Sequence, residues 1–118
     1  MQPNDTIIYI TRSGTTKEIS EAIWYVNNEF VNNKIIQILI HCNMKLTKNP
    51  LVDFEVCLND VVEADFNELA PTISTTIILA FLDMISIELS KKAGFSKHDF
   101  YRYHPGGALG AQLKAELK

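Results

Sequence analysis

The sequence lacks three features that would each point to a broad class of protein. Basic residues are not in excess, since 11 Lys and Arg stand against 14 Asp and Glu, which argues against a nucleic-acid partner. The longest unbroken apolar run, residues 77–82, has six residues and is too short to span a bilayer. The two cysteines form no C-x-x-C pair and no disulfide framework. With a first segment unlike a signal peptide, these absences predict a cytoplasmic protein without membrane or nucleic-acid partners.

What is present predicts one small α/β domain. The 118 residues are 47% apolar, which favours a folded core over disorder. Residues 6–10 and 35–41 are apolar runs typical of strands buried on both faces, and residues 52–58 alternate as an edge strand does. Helical spacing from Ile19 to Phe30 separates the first two strands. A β–α–β order predicts that these strands are parallel.

The second half is expected to be helical. Residues 77–92 run for four turns without Gly or Pro, and Gly94 is a suitable stop. Because this helix is apolar all round, we expect it to be buried in the domain or in a subunit interface. Shorter helices are expected around residues 96–103 and 108–118.

The first candidate site is the turn between the first strand and the first helix. It offers hydroxyls from Thr11, Ser13, Thr15 and Thr16, and Gly14 frees backbone amides for a ligand. A helix N-terminus with unpaired N–H groups suits a phosphate. The turn lacks the Walker lysine and the dinucleotide glycine pattern. The simpler alternative is that these hydroxyls only cap the helix.

Three further side chains are candidates for proton transfer. His104 precedes a proline and two glycines, which can aim an imidazole at a site, although a tight turn with a solvated histidine is the simpler alternative. Glu18 lies in the first turn of a helix, where a carboxylate usually stabilises the helix dipole. Glu63, if partly buried, would have a raised pKa and could act as a base, with Glu68 a less favoured substitute.

A metal site is not expected. His41 and Cys42 end a predicted strand, where ligands of α/β sheets bind. A zinc site needs a third and a fourth ligand at recognisable spacing, and the sequence offers none beside this pair. Packing is the favoured interpretation.

Three segments occur in the following order along the chain: residues 9–19 (YITRSGTTKEI), 69–76 (LAPTISTT) and 100–110 (FYRYHPGGALG). Together they resemble the sugar isomerase (SIS) domain, and specifically its arabinose-5-phosphate isomerase branch. The S-G-x-T loop is shared by most such domains, whereas the A-P-T-x-S-T-T and H-P-G-G-A-L-G segments are specific to the branch. The resemblance covers essentially the whole chain. It implies a three-layer α/β/α, flavodoxin-like fold with a parallel sheet.

The resemblance also implies a reaction and a set of residues. The reaction is aldose–ketose isomerisation through an enediol, between arabinose 5-phosphate and ribulose 5-phosphate, with no metal or organic cofactor. Carried over, the residues that contact the phosphate of the sugar are Thr11, Arg12, Ser13 and Thr16, with further hydroxyls from Ser74 or Thr75. The catalytic candidates are Glu18, which closes the loop motif, Glu63, which matches an enolisation base, and His104, which matches a ring-opening or proton-shuttling histidine supplied across a subunit interface.

A complete domain of this kind begins with further β–α units, and its branch commonly carries CBS modules. Residues 1–118 are therefore expected to be a partial SIS domain, truncated at the N-terminus to about three strands. We expect the chain to form homo-oligomers or to pair with a chain that carries the missing half, because an apolar strand with an open edge associates. A non-catalytic sugar-phosphate-binding module is the alternative function, and a purely structural dimerisation domain is a weaker third.

Overall fold

The computed structural model describes residues 1–117. The chain divides into two compact units, residues 1–80 and the residues from 81 onward, and each is described by itself. The first unit contains β1 (Thr6–Ile10), α1 (Lys17–Glu29), a short 3-10 turn (Val31–Asn33), β2 (Ile36–His41) and β3 (Phe54–Cys57). Helix α2 (Ile73–Lys92) begins in the first unit. The second unit also contains α3 (Lys97–Tyr103) and α4 (Gly107–Glu116).

The three strands form one parallel sheet in the order β1-β2-β3. Tyr9 lies opposite Leu39, and Leu39 lies opposite Glu55. The predicted α/β class and the parallel three-stranded sheet are therefore confirmed, and so is the edge position of β3. In the part of the chain that the structure describes, β1 is the other edge.

One face of the sheet carries the core of the first unit. Tyr9, Ile23, Leu39 and Val52 form a buried cluster, to which α1 contributes the apolar side of an amphipathic helix. A polar group buried in this layer is paired, since the Tyr9 hydroxyl donates to Gln37 Oε1 at 2.8 Å. Within the described residues, this face of the sheet is covered by α1.

The opposite face of the sheet is apolar and largely open. The side chains that the register places on it include Ile8, Ile10, Ile36 and Phe54, and all four are exposed. Ile40 on the same face is buried. Parallel sheets are normally covered on both faces because both carry apolar side chains. The first unit thus presents a surface of the kind that a protein normally buries.

Helix α2 is longer and more exposed than the sequence predicts. It begins at Ile73 rather than near residue 77, because the Thr72 carbonyl accepts the Thr76 N–H at 3.1 Å and starts the first turn. Its buried residues are Ser74 and Ile78. The expectation that this helix is buried within the domain is wrong for the described chain. Burial in a subunit interface stays a prediction.

Length and composition alone would allow α2 to cross a membrane, and 11% of its apolar window is buried. The unbroken apolar run at residues 77–82 is too short to span a bilayer, but the whole helix has 20 residues. The core helix of a soluble protein passes the same test. Asp83 and Glu88 place two carboxylates within this continuous helix, and a charged side chain at a bilayer centre costs about 2.5–3.5 kcal/mol.

The second unit has well-defined helix ends. Ser96 caps α3 and exchanges hydrogen bonds with Asp99 in a capping box. Gly107 has a φ of +69°, a conformation that favours glycine. A Cβ on Gly110 would overlap the Pro105 carbonyl, so the turn packs closely on α4. The helices expected around residues 96–103 and 108–118 are observed at Lys97–Tyr103 and Gly107–Glu116, and residue 118 lies outside the described residues.

Candidate functional site

The loop between β1 and α1 is closed by its own hydroxyl groups. The Thr11 and Thr16 hydroxyl oxygens lie 2.7 Å apart, and Thr11 Oγ1 also accepts the Gly14 N–H at 3.3 Å. Ser13 Oγ accepts the N–H of Thr15 at 3.1 Å and its hydroxyl at 3.2 Å. The four hydroxyl residues of the turn are therefore brought together, and they order the loop at the carboxyl end of β1.

Gly14 is the residue that lets this loop lie close to the neighbouring segment. Its φ is +73°, and a Cβ there would overlap the Leu46 side chain and lie 3.5 Å from His41 Cγ. A larger residue would need both a strained backbone and a displaced neighbour. The close approach fixes the loop against the segment that follows β2.

The first turn of α1 begins without a side-chain cap. Thr16 is the N-cap residue, and its hydroxyl makes no capping hydrogen bond among the residues described. Capping alone therefore does not explain the hydroxyl at this position. The first N–H groups of a helix have no partner within the helix, and they favour an anion.

A cavity of about 280 Å³ lies beside the loop. Its lining includes Arg12 and Ser13 from the loop, Asn43 and Lys45 from the segment after β2, and Asp60 from the segment after β3. Arg12 and Lys45 bring cationic groups to this lining, and Asp60 brings a carboxylate. Sequence reasoning missed Asn43 and Lys45, although the carboxyl ends of parallel strands share one edge of a sheet and could have pointed to them.

Arg12 connects the loop to the segment that follows β3. Its Nε lies 3.1 Å from Glu63 Oε1, and its Nη2 donates to the Val61 carbonyl at 3.2 Å. The side chain is still 47% exposed, so part of the guanidinium remains accessible to a ligand. Arg12 therefore combines an internal contact with a position on the cavity.

Glu63 is a buried and fully hydrogen-bonded carboxylate. Its Oε2 accepts the Thr72 N–H at 2.8 Å, the Thr72 hydroxyl at 3.0 Å and the Ser74 N–H at 3.2 Å. Its Oε1 accepts the Ser74 hydroxyl at 2.5 Å. The Ser74 hydroxyl is the main cause that lowers the pKa of Glu63 to about 2, against the opposing effect of burial. The expectation of a raised pKa for Glu63 is wrong, because burial is accompanied by hydrogen-bond donors.

Ser74 and Thr75 use their hydroxyl protons within the protein. Ser74 is buried and donates to Glu63. Thr75 is exposed and donates to the Thr72 carbonyl at 2.8 Å. A phosphate accepts hydrogen bonds. In the described state these two hydroxyls therefore lack a free proton for it, and their predicted role in phosphate binding stays a prediction.

The two remaining candidates are both exposed. Glu18 lies in the first turn of α1, where its charge stabilises the helix N-terminus. His104 ends α3 in the second unit, and its ring stacks on Phe100 with ring centroids 4.9 Å apart. Their roles in proton transfer stay predictions.

The two thiols differ in environment. Cys42 is buried beside the cavity, and burial is the main cause that raises the pKa of its thiol. Cys57 is exposed. Within residues 1–117, the structure holds no group of three or more side chains that could bind a metal ion.

Comparison with known proteins finds relatives over most of the chain. The chain is 40% identical over 111 residues to arabinose 5-phosphate isomerase KpsF of Escherichia coli. It is 37% identical over 111 residues to arabinose 5-phosphate isomerase KdsD of Yersinia pestis. A probable arabinose 5-phosphate isomerase of Haemophilus influenzae is 31% identical over 118 residues. These names are consistent with the arabinose-5-phosphate isomerase branch of the SIS domain family, which the three sequence segments resemble.

These alignments cover most of the chain but a minor part of each relative. They include 94% of the chain for the first two proteins and 100% for the third. The chain spans about a third of their length, from 33% to 34%. No family model matches the chain, and no solved structure matches it.

Proposed function

We propose that the chain binds the phosphate of a phosphorylated sugar at residues 11–16 and contributes this site to a sugar-phosphate aldose–ketose isomerase. The substrate pair that we propose is arabinose 5-phosphate and ribulose 5-phosphate, which the names of the relatives support. The supporting observation is the cavity beside this loop, because Arg12 and Ser13 of the loop and Lys45 of the segment after β2 line it together. Such a site suits a phosphate dianion.

The proposed roles follow the contacts of each residue. Thr11, Ser13 and Thr16 order the loop around the phosphate, and Arg12 contributes charge. Glu63 holds Arg12 and the start of α2, and its low pKa makes it a weak base. His104 keeps the role of proton shuttle that the resemblance implies. The reaction itself moves a proton between two carbons through an enediol.

A non-catalytic sugar-phosphate-binding module is the second candidate. It is favoured by the state of Glu63, since both oxygens of the expected base accept hydrogen bonds from the protein. A carboxylate held in this way has little tendency to take a proton from carbon. An isomerase assay on the parent chain and on His104→Ala separates the two candidates: turnover that His104→Ala removes favours the isomerase, and binding without turnover favours the module.

The binding proposal is tested by calorimetric titration with inorganic phosphate, arabinose 5-phosphate and arabinose. We expect the two phosphate ligands to bind and the free sugar not to bind. Lys45→Gln should weaken phosphate binding about three- to tenfold, as expected for the loss of one charged contact. Lys48→Gln is the matched control, because Lys48 lies outside this cavity. Equal affinities for the two variants would contradict the proposed site.

We also propose that the open face of the sheet is covered by protein, either by a second copy of the chain or by a chain that carries the rest of the domain. The support is the exposure of Ile8, Ile10 and Phe54 on one face. A cytoplasmic location is part of the same proposal, and cell fractionation with an antibody against the chain tests it.

A further inference from the structure

His41 is a buried polar side chain that the proposed function has not used. It ends β2 and is 1% exposed. Its Nδ1 accepts the backbone N–H of Asn43 at 3.2 Å, so this nitrogen carries no proton. The ring proton is therefore on Nε2, which lies 3.1 Å from Glu55 Oε1. The assignment follows from the hydrogen-bond partners.

The ring is held on both sides by the sheet and its loops. Glu55 belongs to β3, and its second oxygen accepts the Asn49 N–H at 2.8 Å. Gly14 lies directly against the ring, since a Cβ there would be 3.5 Å from His41 Cγ. His41 thus has one fixed orientation, with Nδ1 directed at the turn that follows β2.

That turn holds the backbone of the phosphate loop. The Asn43 side-chain amide donates to the Ser13 carbonyl at 2.9 Å. The Cys42 N–H donates to the Arg12 carbonyl at 3.0 Å. The Arg12 and Ser13 carbonyls are therefore bound by Cys42 and Asn43. His41 Nδ1 in turn accepts the N–H of Asn43.

We propose that His41 is a positioning residue for the phosphate loop, acting through the N–H of Asn43 and the contacts of that turn with Arg12 and Ser13. The inference rests on the proposed function, because the loop is the one that we propose for phosphate. When Nδ1 no longer accepts the Asn43 N–H, the turn loosens and the Ser13 carbonyl loses its donor. The loop then samples conformations that do not fit a phosphate, and affinity falls.

Two substitutions separate the nitrogens of the ring. In His41→Asn the side-chain oxygen occupies a place close to Nδ1 and can accept the Asn43 N–H, while the contact with Glu55 is lost. In His41→Gln the terminal amide lies near the place of Nε2, so the Glu55 contact can persist while the acceptor for Asn43 is lost. Both variants shorten or reshape the same buried group, so each controls for the other.

Titration with inorganic phosphate gives the first measurement. We expect His41→Gln to bind phosphate about five- to tenfold more weakly than the parent. This is the size of effect expected when one hydrogen bond that orders the loop is lost. His41→Asn should stay within about twofold of the parent. Equal weakening in both variants would show a merely structural role and overturn the proposal.

Amide hydrogen exchange of Cys42 gives a second measurement that needs no ligand. We expect the exchange of this N–H to accelerate in His41→Gln and to stay near the parent rate in His41→Asn, with the Leu39 amide as reference for global unfolding. Unchanged Cys42 exchange in His41→Gln would overturn the proposal. If the parent fails to bind phosphate, the proposed function falls while the exchange result still decides the role of His41.

Discussion

The candidate site lies at the carboxyl ends of the strands and is polar, whereas the open face of the sheet is apolar. The two regions differ in whether other residues of the chain complete their contacts. At the polar site, Glu63 accepts a hydrogen bond from Ser74 of α2, the His41 ring contacts Glu55 of β3, and Arg12 pairs with Glu63. In the described part of the chain, no buried side-chain nitrogen or oxygen is left without a hydrogen bond. On the open face, Ile8, Ile10 and other apolar side chains stay exposed.

This difference has a physical origin. A hydrogen bond is satisfied by one correctly placed group, so a few loop residues can complete a polar site. Burial of apolar surface needs area, at about 25 cal/mol per Å², and a three-stranded sheet with one covering helix supplies it for one face. A three-stranded sheet with one covering helix can therefore keep a well-formed polar site while leaving an apolar face open.

The largest effect is expected in the covered core. Leu39→Ala removes a side chain with 0% exposure and should lower the free energy of unfolding by about 2–5 kcal/mol. Leu79→Ala is the matched control on α2, where the side chain is 62% exposed, and should change it by less than about 0.5 kcal/mol. Chemical denaturation measures both. A large loss for Leu79→Ala would mean that α2 is covered in solution.

A smaller effect, dependent on pH, is expected at Glu63. Its pKa is lowered from about 4.5 to about 2, so its carboxylate stabilises the fold fully above about pH 4.5, and this contribution is lost as the pH falls towards 2. Glu63→Gln should lower Tm at neutral pH, and the difference from the parent should shrink as the solution is acidified.

Thermal melts between about pH 2 and pH 7 test this expectation. Glu21→Gln is the control, because Glu21 is an exposed carboxylate in a surface ion pair with Lys17 and should leave the profile unchanged. A Glu63→Gln profile parallel to that of the parent would contradict the lowered pKa.

The smallest effect on the stability of an isolated chain is expected on the open face. Ile10→Lys replaces an exposed side chain and should change the free energy of unfolding by less than about 0.5 kcal/mol. If the face is covered by a second copy, the same change should abolish association in sedimentation equilibrium. Val31→Lys, at an exposed position in the 3-10 turn, is the control. Association that survives Ile10→Lys would exclude this face as the contact.

The sequence predicts the sheet well because its signals are local. The run at residues 6–10 and the helix after it need only nearest-neighbour patterns, and both are observed. Whether α2 is buried could not be predicted in the same way. Its apolar composition requires a cover, but composition does not say whether the cover lies in the same chain.

At the site, the loop of residues 11–16 was predictable from its hydroxyls and its glycine, whereas the chemistry of Glu63 was not. The pKa of a carboxylate depends on which donors reach it. The decisive donors are Ser74 and Thr72, which lie 11 and 9 residues further along the chain. Lys45 follows β2 at the carboxyl edge of the sheet, but the sequence does not say which side chains of that segment line the cavity.

The two thiols differ in how readily a reagent in solution can reach them. Cys57 is exposed, whereas Cys42 is buried in the wall of the cavity with a raised thiol pKa. A thiol reagent should therefore label Cys57 at the rate of a free surface thiol and Cys42 only when the wall opens. The labelling rate of Cys42 therefore reports how often the wall of the cavity opens, and a ligand that fills the cavity should lower this rate.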